Sequence, residues 1–161
     1  MLYLHEMTFE LMHSYFSGFE NDPDIFMDME LFTCYQYDAD KVTALYEKRA
    51  KDSSRKDFFI MYDDNPIGEI CLKHIDFDKK ECELSIHMQN NSVKNKGYGT
   101  QAERLILAYA FDTLGMDAVL ADSVIKNKRS QHVLEKVGFE LIDKAGIFKY
   151  YRITRTRYKS L

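Results

Sequence analysis

Tryptophan is absent from this chain, and proline and glycine are scarce, with two and seven among 161 residues. Because these two residues interrupt regular structure, their scarcity predicts mostly helices and strands with short connections. The N-terminal residues have no basic region and no long apolar run. We therefore expect neither a secretory leader nor a membrane span there, and we predict a cytoplasmic protein.

Cysteine is also rare, and its positions fit neither a disulfide framework nor a zinc site. Cys34, Cys71 and Cys82 are odd in number, form no C-x-x-C pair and have no histidine placed to complete a metal site. We expect three reduced, buried thiols and no metal.

Lysine and arginine are missing from the first forty residues, which hold nine of the 26 acidic residues. The remainder carries all 22 Lys and Arg. One interpretation is a solvated acidic surface, and the other is a wall that attracts a cationic partner while the rest of the chain holds an anion. The net charge of −4 disfavours general nucleic-acid binding.

The composition predicts one folded domain over residues 1–161. Hydrophobic residues make up 45% and aromatic residues 14%, which argues against disorder and supplies one full core. No repeat or linker divides the chain.

Apolar periodicity and turn residues predict the order of elements. The first half contains a strand over 3–6, a helix from Thr8 to about 17, helical stretches from 22 through 31 and from 38 or 40 onward, and strands over 58–62 and 67–75. The second half contains a strand over 82–88, a helix over 100–114, a strand over 118–124, a helix over 128–137, and strands near 141–147 and 150–156. This order predicts a mixed α/β fold with a strand–loop–helix–strand unit at its centre.

The loop in that central unit carries two glycines at alternate positions, Gly97 and Gly99. Without Cβ atoms a ligand can approach the backbone, and N–H groups at the following helix N-terminus can converge on one anion. We predict pyrophosphate binding there, with an ordinary strand-to-helix turn as the alternative. A Walker loop is excluded because no G-K-S/T follows, and a dinucleotide fingerprint fails because Ala102 occupies the third glycine position.

Three segments together resemble the GNAT superfamily of acyl-CoA N-acyltransferases. Residues 94–99 match the family's pyrophosphate motif Q/R-x-x-G-x-G/A, with Lys94 in place of Gln or Arg. Residues 127–130 form an Asn-x-x-Ser segment similar to the RimJ/RimL branch, which acetylates protein N-termini and related amines. Residues 135–139 are close to the frequent E-K-x-G-F. The resemblance is specific from about residue 82 to 139 and only topological over residues 1–62.

The resemblance implies a fold, a cosubstrate and a set of contacts. The fold is a mixed central sheet of about six to seven strands flanked by helices, and the cosubstrate is acetyl-CoA, with no metal. The implied cosubstrate contacts are Ile86, Met88, Lys94, Asn95, Lys96, Gly97, Tyr98, Gly99, Thr100 and Asn127.

The resemblance also implies direct transfer, in which a neutral amine attacks the thioester carbonyl. Glu83 is the first candidate base, because many family members place a Glu in the strand before the phosphate loop. Period-two spacing puts it on one face with Ser85 and His87, although this could simply be an exposed polar face. Partial burial would raise the pKa of Glu83 toward neutrality. Glu81 is the fallback base, and His87 could relay a proton.

Two further catalytic roles are polarisation of the thioester carbonyl and protonation of the leaving thiolate. Backbone N–H groups near Ile86 and Met88 should polarise the carbonyl, since the family's strand opens there. Many members protonate the thiolate with a Tyr at the position of Leu134, and Ser130 takes this role in the branch that the chain resembles. Ser130 could instead simply lie in the first turn of its helix. Other possible donors are Tyr98, Tyr150 and Tyr151.

The predicted function is N-acetyl transfer to a primary amine. The acidic first forty residues favour a cationic acceptor, such as a protein N-terminus or a polyamine. The alternatives are an amino sugar, amino acid or aminoglycoside acceptor, and an acyl-CoA-binding regulatory module without turnover, which Leu134 favours. We expect a monomer or homodimer that binds neither nucleic acid nor membrane.

Overall fold

A computed structural model describes all residues from 1 to 161 and shows a seven-stranded mixed sheet with helices on both faces. The strands are β1 (Leu2–Glu6), β2 (Lys56–Tyr62), β3 (Asn65–Asp76), β4 (Glu81–Met88), β5 (Ala118–Val124), β6 (Glu140–Ala145) and β7 (Phe148–Thr154). Their spatial order is β1-β2-β3-β4-β5-β7-β6, and only the β4–β5 pair is parallel. The predicted sheet of six to seven strands is confirmed.

Five α-helices accompany the sheet. They are α1 (Phe9–Ser17), α2 (Ala39–Lys51), α3 (Tyr98–Ala108), α4 (Lys128–Val137) and α5 (Arg155–Ser160). Short 3₁₀ turns lie at Met29–Leu31 and Asn91–Val93, and α3 continues as a π-helical turn over Tyr109–Thr113. None of these helices is both long and apolar enough to cross a bilayer.

Two apolar cores hold the helices on the sheet. The larger joins α3 and α4 to the central strands and includes Ile60, Ile106 and Leu134. The smaller joins α1 and α2 to the opposite face of β2 through Tyr15 and Phe59, among others. Ile60 and Phe59 are neighbours in β2, so the period-two alternation of a strand divides the chain between the two cores.

Two helices begin at the residues that the sequence indicated. Thr8 accepts a hydrogen bond from the Leu11 N–H and caps α1. Asp38 accepts from the Asp40 and Lys41 N–H groups and caps α2. In both cases a side-chain oxygen satisfies an amide that has no partner inside the helix.

The helical stretch predicted from 22 through 31 is wrong. Only the 3₁₀ turn at Met29–Leu31 forms there. Asp22 is buried, and one of its carboxylate oxygens accepts from the Asp24 N–H while the other binds distant cations. Tertiary ion pairing therefore sets the path of this segment.

Two smaller predictions also need correction. The last strand ends at Thr154, whose hydroxyl accepts from the Arg157 N–H and starts the unpredicted helix α5. Cys71 and Cys82 are buried free thiols as expected, but Cys34 is exposed because it follows the irregular segment that replaces the predicted helix.

Candidate active site

The parallel strands β4 and β5 separate part-way along their length. They pair from Glu81–Ala118 to Glu83–Leu120, whereas β4 continues to Met88 and β5 to Val124. Beyond Glu83 the two strands leave a gap in the sheet, which we call the β4–β5 opening. A gap of this kind exposes backbone groups that a regular sheet would pair.

Alternate backbone groups of β4 face this opening. Just after β4, the Gln89 N–H donates to the Ile67 carbonyl of β3 at 2.8 Å. Just before β4, the Lys80 carbonyl accepts from the Ala118 N–H of β5, on the opposite side, at 3.2 Å. Because successive peptide groups of a strand point to opposite sides, the N–H groups of Ile86 and Met88 point toward β5, which does not pair with them. These two donors are therefore available at the opening.

The glycine loop places six more unused donors beside the opening. The N–H groups of residues 95–100 make no hydrogen bond within the protein, and the first bonded amide after them is that of Gln101, which donates to the Gly97 carbonyl. Gly97 begins α3 in the left-handed conformation, with φ of 79° and no side-chain cap. Successive unpaired N–H groups at a helix N-terminus suit an oxyanion such as a phosphate.

The space in front of these donors depends on the two glycines. A Cβ on Gly97 would meet no atom within 4 Å, and one on Gly99 would lie 4.0 Å from Ile86 Cδ1. The protein itself therefore leaves this volume free, next to the β4 residue that faces the opening. A pyrophosphate fits the loop, and its carrier can continue into the β4–β5 opening.

The side chain of Lys94 is engaged by Asp22. Its Nζ lies 2.9 Å from Asp22 Oδ2, and both side chains are nearly buried. Arg129 lies 3.5 Å from the same oxygen. Burial alone would raise the pKa of Asp22, but the hydrogen bond from Lys94, the Asp24 N–H and the charge of Arg129 lower it overall. Lys94 thus shares its charge with Asp22, whereas Lys96 is exposed and has no ion pair.

Asn127 and Ser130 lie together at the start of α4. Asn127 Oδ1 accepts from the Ser130 N–H at 3.1 Å and caps the helix, which leaves the Asn127 amide NH₂ available. Ser130 lies in the first turn, and its hydroxyl makes no hydrogen bond within the protein. Gln131, which sequence reasoning missed, donates to the carbonyls of Val124 and Ile125 and holds this turn against the end of β5. Its position directly after the Asn-x-x-Ser segment was the available signal.

Glu83 lies on the same face of β4 as Ser85 and His87, as period-two spacing predicted. One Glu83 oxygen lies 2.9 Å from His74 Nδ1, and the other lies 3.6 Å from Lys73 Nζ. The fallback residue Glu81 lies 3.3 Å from Arg152. Both predicted carboxylates are therefore held by cationic or imidazole partners.

His87 lies at a cavity of about 180 Å³ beside β3 and β4. Its side chain reaches solvent, but surrounding protein atoms desolvate the imidazole and lower its pKa below the ordinary value. Its carbonyl accepts from the buried Tyr15 hydroxyl at 3.0 Å, which fixes α1 against the end of β4. The cavity is also lined by the ion pairs Arg49–Glu69 and Arg55–Asp57, each at 2.9 Å.

The three tyrosines considered as proton donors occupy different places. Tyr151 is fully buried. Burial is the first cause that raises the pKa of its hydroxyl, and the charge of Glu135 in α4 is the second. Tyr150 pairs with Asp122 of β5 on the open face. Tyr98 packs against Tyr62, with ring centroids 4.8 Å apart. Leu134 packs into the larger core, and as a leucine it offers no hydroxyl where many family members have a tyrosine.

Metal ions in proteins are held by clustered His, Cys, Asp or Glu side chains. No group of three or more His, Cys, Asp or Glu side chains lies close enough together to hold a metal ion. Three acids near the opening, Glu83, Glu81 and Asp22, are instead paired with Lys, Arg or His.

Comparison with known proteins places the chain in a family. Residues 2–140 match the model of the acetyltransferase (GNAT) domain. The chain is 30% identical over 100 residues to the probable N-acetyltransferase YjcK of Bacillus subtilis, covering 62% of this chain and 55% of that protein. It is 25% identical over 101 residues to the spermidine N(1)-acetyltransferase of Escherichia coli K12, covering 63% and 54%.

A solved structure agrees with the fold over nearly the whole chain. The spermidine N-acetyltransferase of Vibrio cholerae in complex with CoA and spermine superposes with a TM-score of 0.79 at 20% identity, covering 98% of both chains. By sequence, however, the chain spans about half the length of the curated relatives it matches.

Proposed function

The chain belongs to the GNAT acetyltransferase family, and we propose that it transfers an acetyl group from acetyl-CoA to a primary amine. The observation that carries this proposal is the run of six unpaired N–H groups at residues 95–100, beside the β4–β5 opening. A diphosphate supplies the oxygens that such donors need, and the opening gives the attached arm a path into the sheet.

Different residues around the opening contact different parts of acetyl-CoA in this proposal. Residues 95–100 hold the diphosphate through backbone amides, with Lys96 adding positive charge, and the Asn127 amide NH₂ donates to the pantetheine arm. The N–H groups of Ile86 and Met88 polarise the acyl carbonyl, and would stabilise an oxyanion formed from it. When bound, acetyl-CoA supplies the thioester whose carbonyl carbon accepts the amine.

Of the two side chains that the sequence predicted to transfer protons, this proposal keeps one in that role. The Ser130 hydroxyl is free in the first turn of α4 and serves the departing thiolate. Glu83, the base that the resemblance implies, faces the acceptor side but is bonded to His74 and Lys73. Because these partners occupy both of its carboxylate oxygens, Glu83 is better suited to holding neighbouring side chains in place.

We propose a polyamine-like cation as the acceptor. Eight of the nine acids in residues 1–40 are exposed and form no ion pair; Asp22 is the exception. Such a surface attracts a molecule with positive charge beyond its reacting amine. The relative named as a spermidine N(1)-acetyltransferase supports this choice, whereas the relative named as the putative ribosomal N-acetyltransferase YdaF, 29% identical over 80 residues, supports a protein acceptor. The cytoplasmic location and the monomeric or dimeric state stay predictions from the sequence.

The decisive test is release of free thiol from acetyl-CoA with a panel of amines. The panel contains spermidine, spermine, a basic peptide with a free N-terminus, an amino sugar, an amino acid and an aminoglycoside. We expect the fastest release with the polyamines. Turnover that is fastest with an anionic acceptor would overturn the choice of acceptor, and no turnover with any amine would overturn the enzymatic function.

The second candidate function is an acyl-CoA-binding module without turnover. Leu134, buried in the larger core, favours it because no hydroxyl lies at that position. This alternative predicts acetyl-CoA binding by calorimetry together with no thiol release from any amine in the panel.

A further inference from the structure

Asp122 lies on the β5 side of the β4–β5 opening. The last pair of the two strands joins Glu83 to Leu120, and paired residues of neighbouring strands share a face. Two residues further along each strand, Ser85 and Asp122 therefore lie on that same face, on opposite sides of the opening. Asp122 is also paired with Tyr150 of β7 and is exposed.

The carboxylate of Asp122 is free, in contrast to the two acids of β4. It takes part in no hydrogen bond and no ion pair, whereas Glu83 and Glu81 are both engaged. A base must have an open lone pair within reach of the proton that it removes. By this criterion Asp122 is better placed than either residue that the sequence indicated.

The charges around Asp122 favour proton uptake. Although the side chain reaches solvent, nearby protein atoms partly desolvate the carboxyl, and this is the first cause that raises its pKa. The charge of Glu83 is the second cause, while Lys73 of β3 acts in the opposite direction. The other ionisable groups on this face of the neighbouring strands are His87 and Glu81 of β4 and Tyr150 and Arg152 of β7. Arg152 is paired with Glu81, and desolvation lowers the pKa of His87, which favours its neutral form. A carboxylate with a raised pKa is a stronger base near neutral pH.

We propose that Asp122, rather than Glu83, takes the proton from the acceptor amine, an inference that rests on the proposed function. The Asp122 carboxylate accepts one proton from the acceptor ammonium. The nitrogen then forms a bond to the thioester carbonyl carbon, the carbon–sulfur bond breaks, and the second proton of the nitrogen goes to the departing thiolate. Glu83 stays bonded to Lys73 and His74 beside the base.

The test is the pH dependence of kcat and kcat/KM for Asp122→Asn and Glu83→Gln with the best acceptor of the panel. Asp122→Asn should lower kcat about a hundredfold near neutral pH. The deficit should shrink at high pH, where the amine deprotonates by itself, and calorimetry should show unchanged acetyl-CoA affinity. Glu83→Gln should keep most of the turnover and move the acidic limb of the profile to lower pH, because it removes a negative neighbour of Asp122.

A matched control separates the base from a general effect of charge. Asp143 of β6 pairs with the other side of Tyr150 and is exposed, so Asp143→Asn removes one negative charge from the same face and should leave the profile unchanged. Thermal melting verifies that the exposed Asp122→Asn variant is folded. Asp122→Glu, which keeps a carboxylate, should retain more turnover than Asp122→Asn.

The possible failures are distinguishable. A wild-type pH profile in a folded Asp122→Asn variant would overturn the assignment of Asp122 alone, and a hundredfold loss in Glu83→Gln would transfer the role to Glu83. Absence of thiol release from the wild-type protein with every amine would overturn the proposed function, and Asp122 as its base would fall with it.

Discussion

The missing side chain of Gly99 matters because the N–H groups around it have no partner within the protein. Its backbone is an ordinary helical one, and an added Cβ would only reach van der Waals distance from Ile86. The folded protein thus has room for a side chain at this residue. A ligand that approaches the backbone would collide with that side chain.

Replacing Gly99 by Val should therefore block the approach of the diphosphate without unfolding the protein. We expect at least a tenfold loss of acetyl-CoA affinity by calorimetry, equivalent to about 1.4 kcal/mol or more. Leu105→Val places the same β-branched residue on an exposed position of the same helix and should leave the affinity unchanged. Wild-type affinity in a folded Gly99→Val variant would exclude this loop as the diphosphate site.

The buried carboxyl of Glu103 in α3 should make the free energy of unfolding depend on pH. It is 1% exposed, its Oε2 has no partner, and burial raises the pKa of its carboxyl from 4.5 to about 8. In the unfolded chain the same carboxyl ionises above pH 4.5. The free energy of unfolding should therefore fall between about pH 4.5 and 8, by up to about 1.4 kcal/mol per pH unit, and level off above.

Glu103→Gln removes this titration. Its free energy of unfolding in urea should exceed that of the wild type at pH 8, and the difference should shrink toward pH 5. Glu47→Gln, an exposed change on α2, should leave the pH dependence as it is. Parallel curves for the wild type and Glu103→Gln would mean that the carboxyl finds a partner that the structure does not show.

At the scale of elements, Asp22 joins three parts of the chain. It lies in the irregular segment between α1 and α2, and it forms ion pairs with Lys94 at the start of the glycine loop and with Arg129 of α4. Breaking a buried pair leaves a cation without compensation, which costs more than the pair contributes. The irregular segment and the glycine loop should therefore be energetically coupled through Asp22.

Asp22→Asn should lower the free energy of unfolding by roughly 1.5–3 kcal/mol, measured in urea at neutral pH. Since the folded pKa of Asp22 lies below 3.8, the contribution is present above that pH and disappears as the pH falls through the folded pKa. Asp24→Asn removes an exposed neighbour without an ion pair and should have little effect. Equal stabilities of the two variants would show that the Asp22 pairs contribute nothing.

On the scale of the whole molecule, charge is divided between the first forty residues and the rest. Pairing with Lys94 removes Asp22 from the attractive surface, so the test of that surface uses Asp24, Asp28 and Glu30, which are exposed. Their field extends over roughly 10 Å at 0.1 M salt. A cationic acceptor should feel this field, and a neutral acceptor should not.

The apparent KM for the acceptor should rise with ionic strength, and it should rise further when Asp24, Asp28 and Glu30 are changed together to their amides. Neutralising Glu47, Asp78 and Glu140, exposed acids outside the segment, gives a control with the same net charge that should change KM less. Kinetics that are insensitive to salt would leave the acidic surface with a role in solubility alone.

Local pattern was enough to locate much of this fold. The strand over 118–124 and the helix over 128–137 agree with β5 and α4, and Thr8 and Asp38 cap the helices that they were expected to start. The glycine loop was also visible, since the diphosphate site proposed there depends on glycines two residues apart and on the helix that follows. Such features rest on residues that are neighbours along the chain.

The partners of the charged residues were decided only by the tertiary structure. Asp22 meets Lys94 from 72 positions away, and Glu83 meets His74 across a turn between two strands. Asp122 lies beside the opening only because β4 and β5 diverge after Glu83, and this divergence cannot be read from residue types. Which carboxylate stays free of an ion pair depends on which cations from distant segments arrive beside it. The sequence therefore determined the scaffold and indicated the glycine loop as the proposed anion site, while folding decided which acids of the acceptor side are paired.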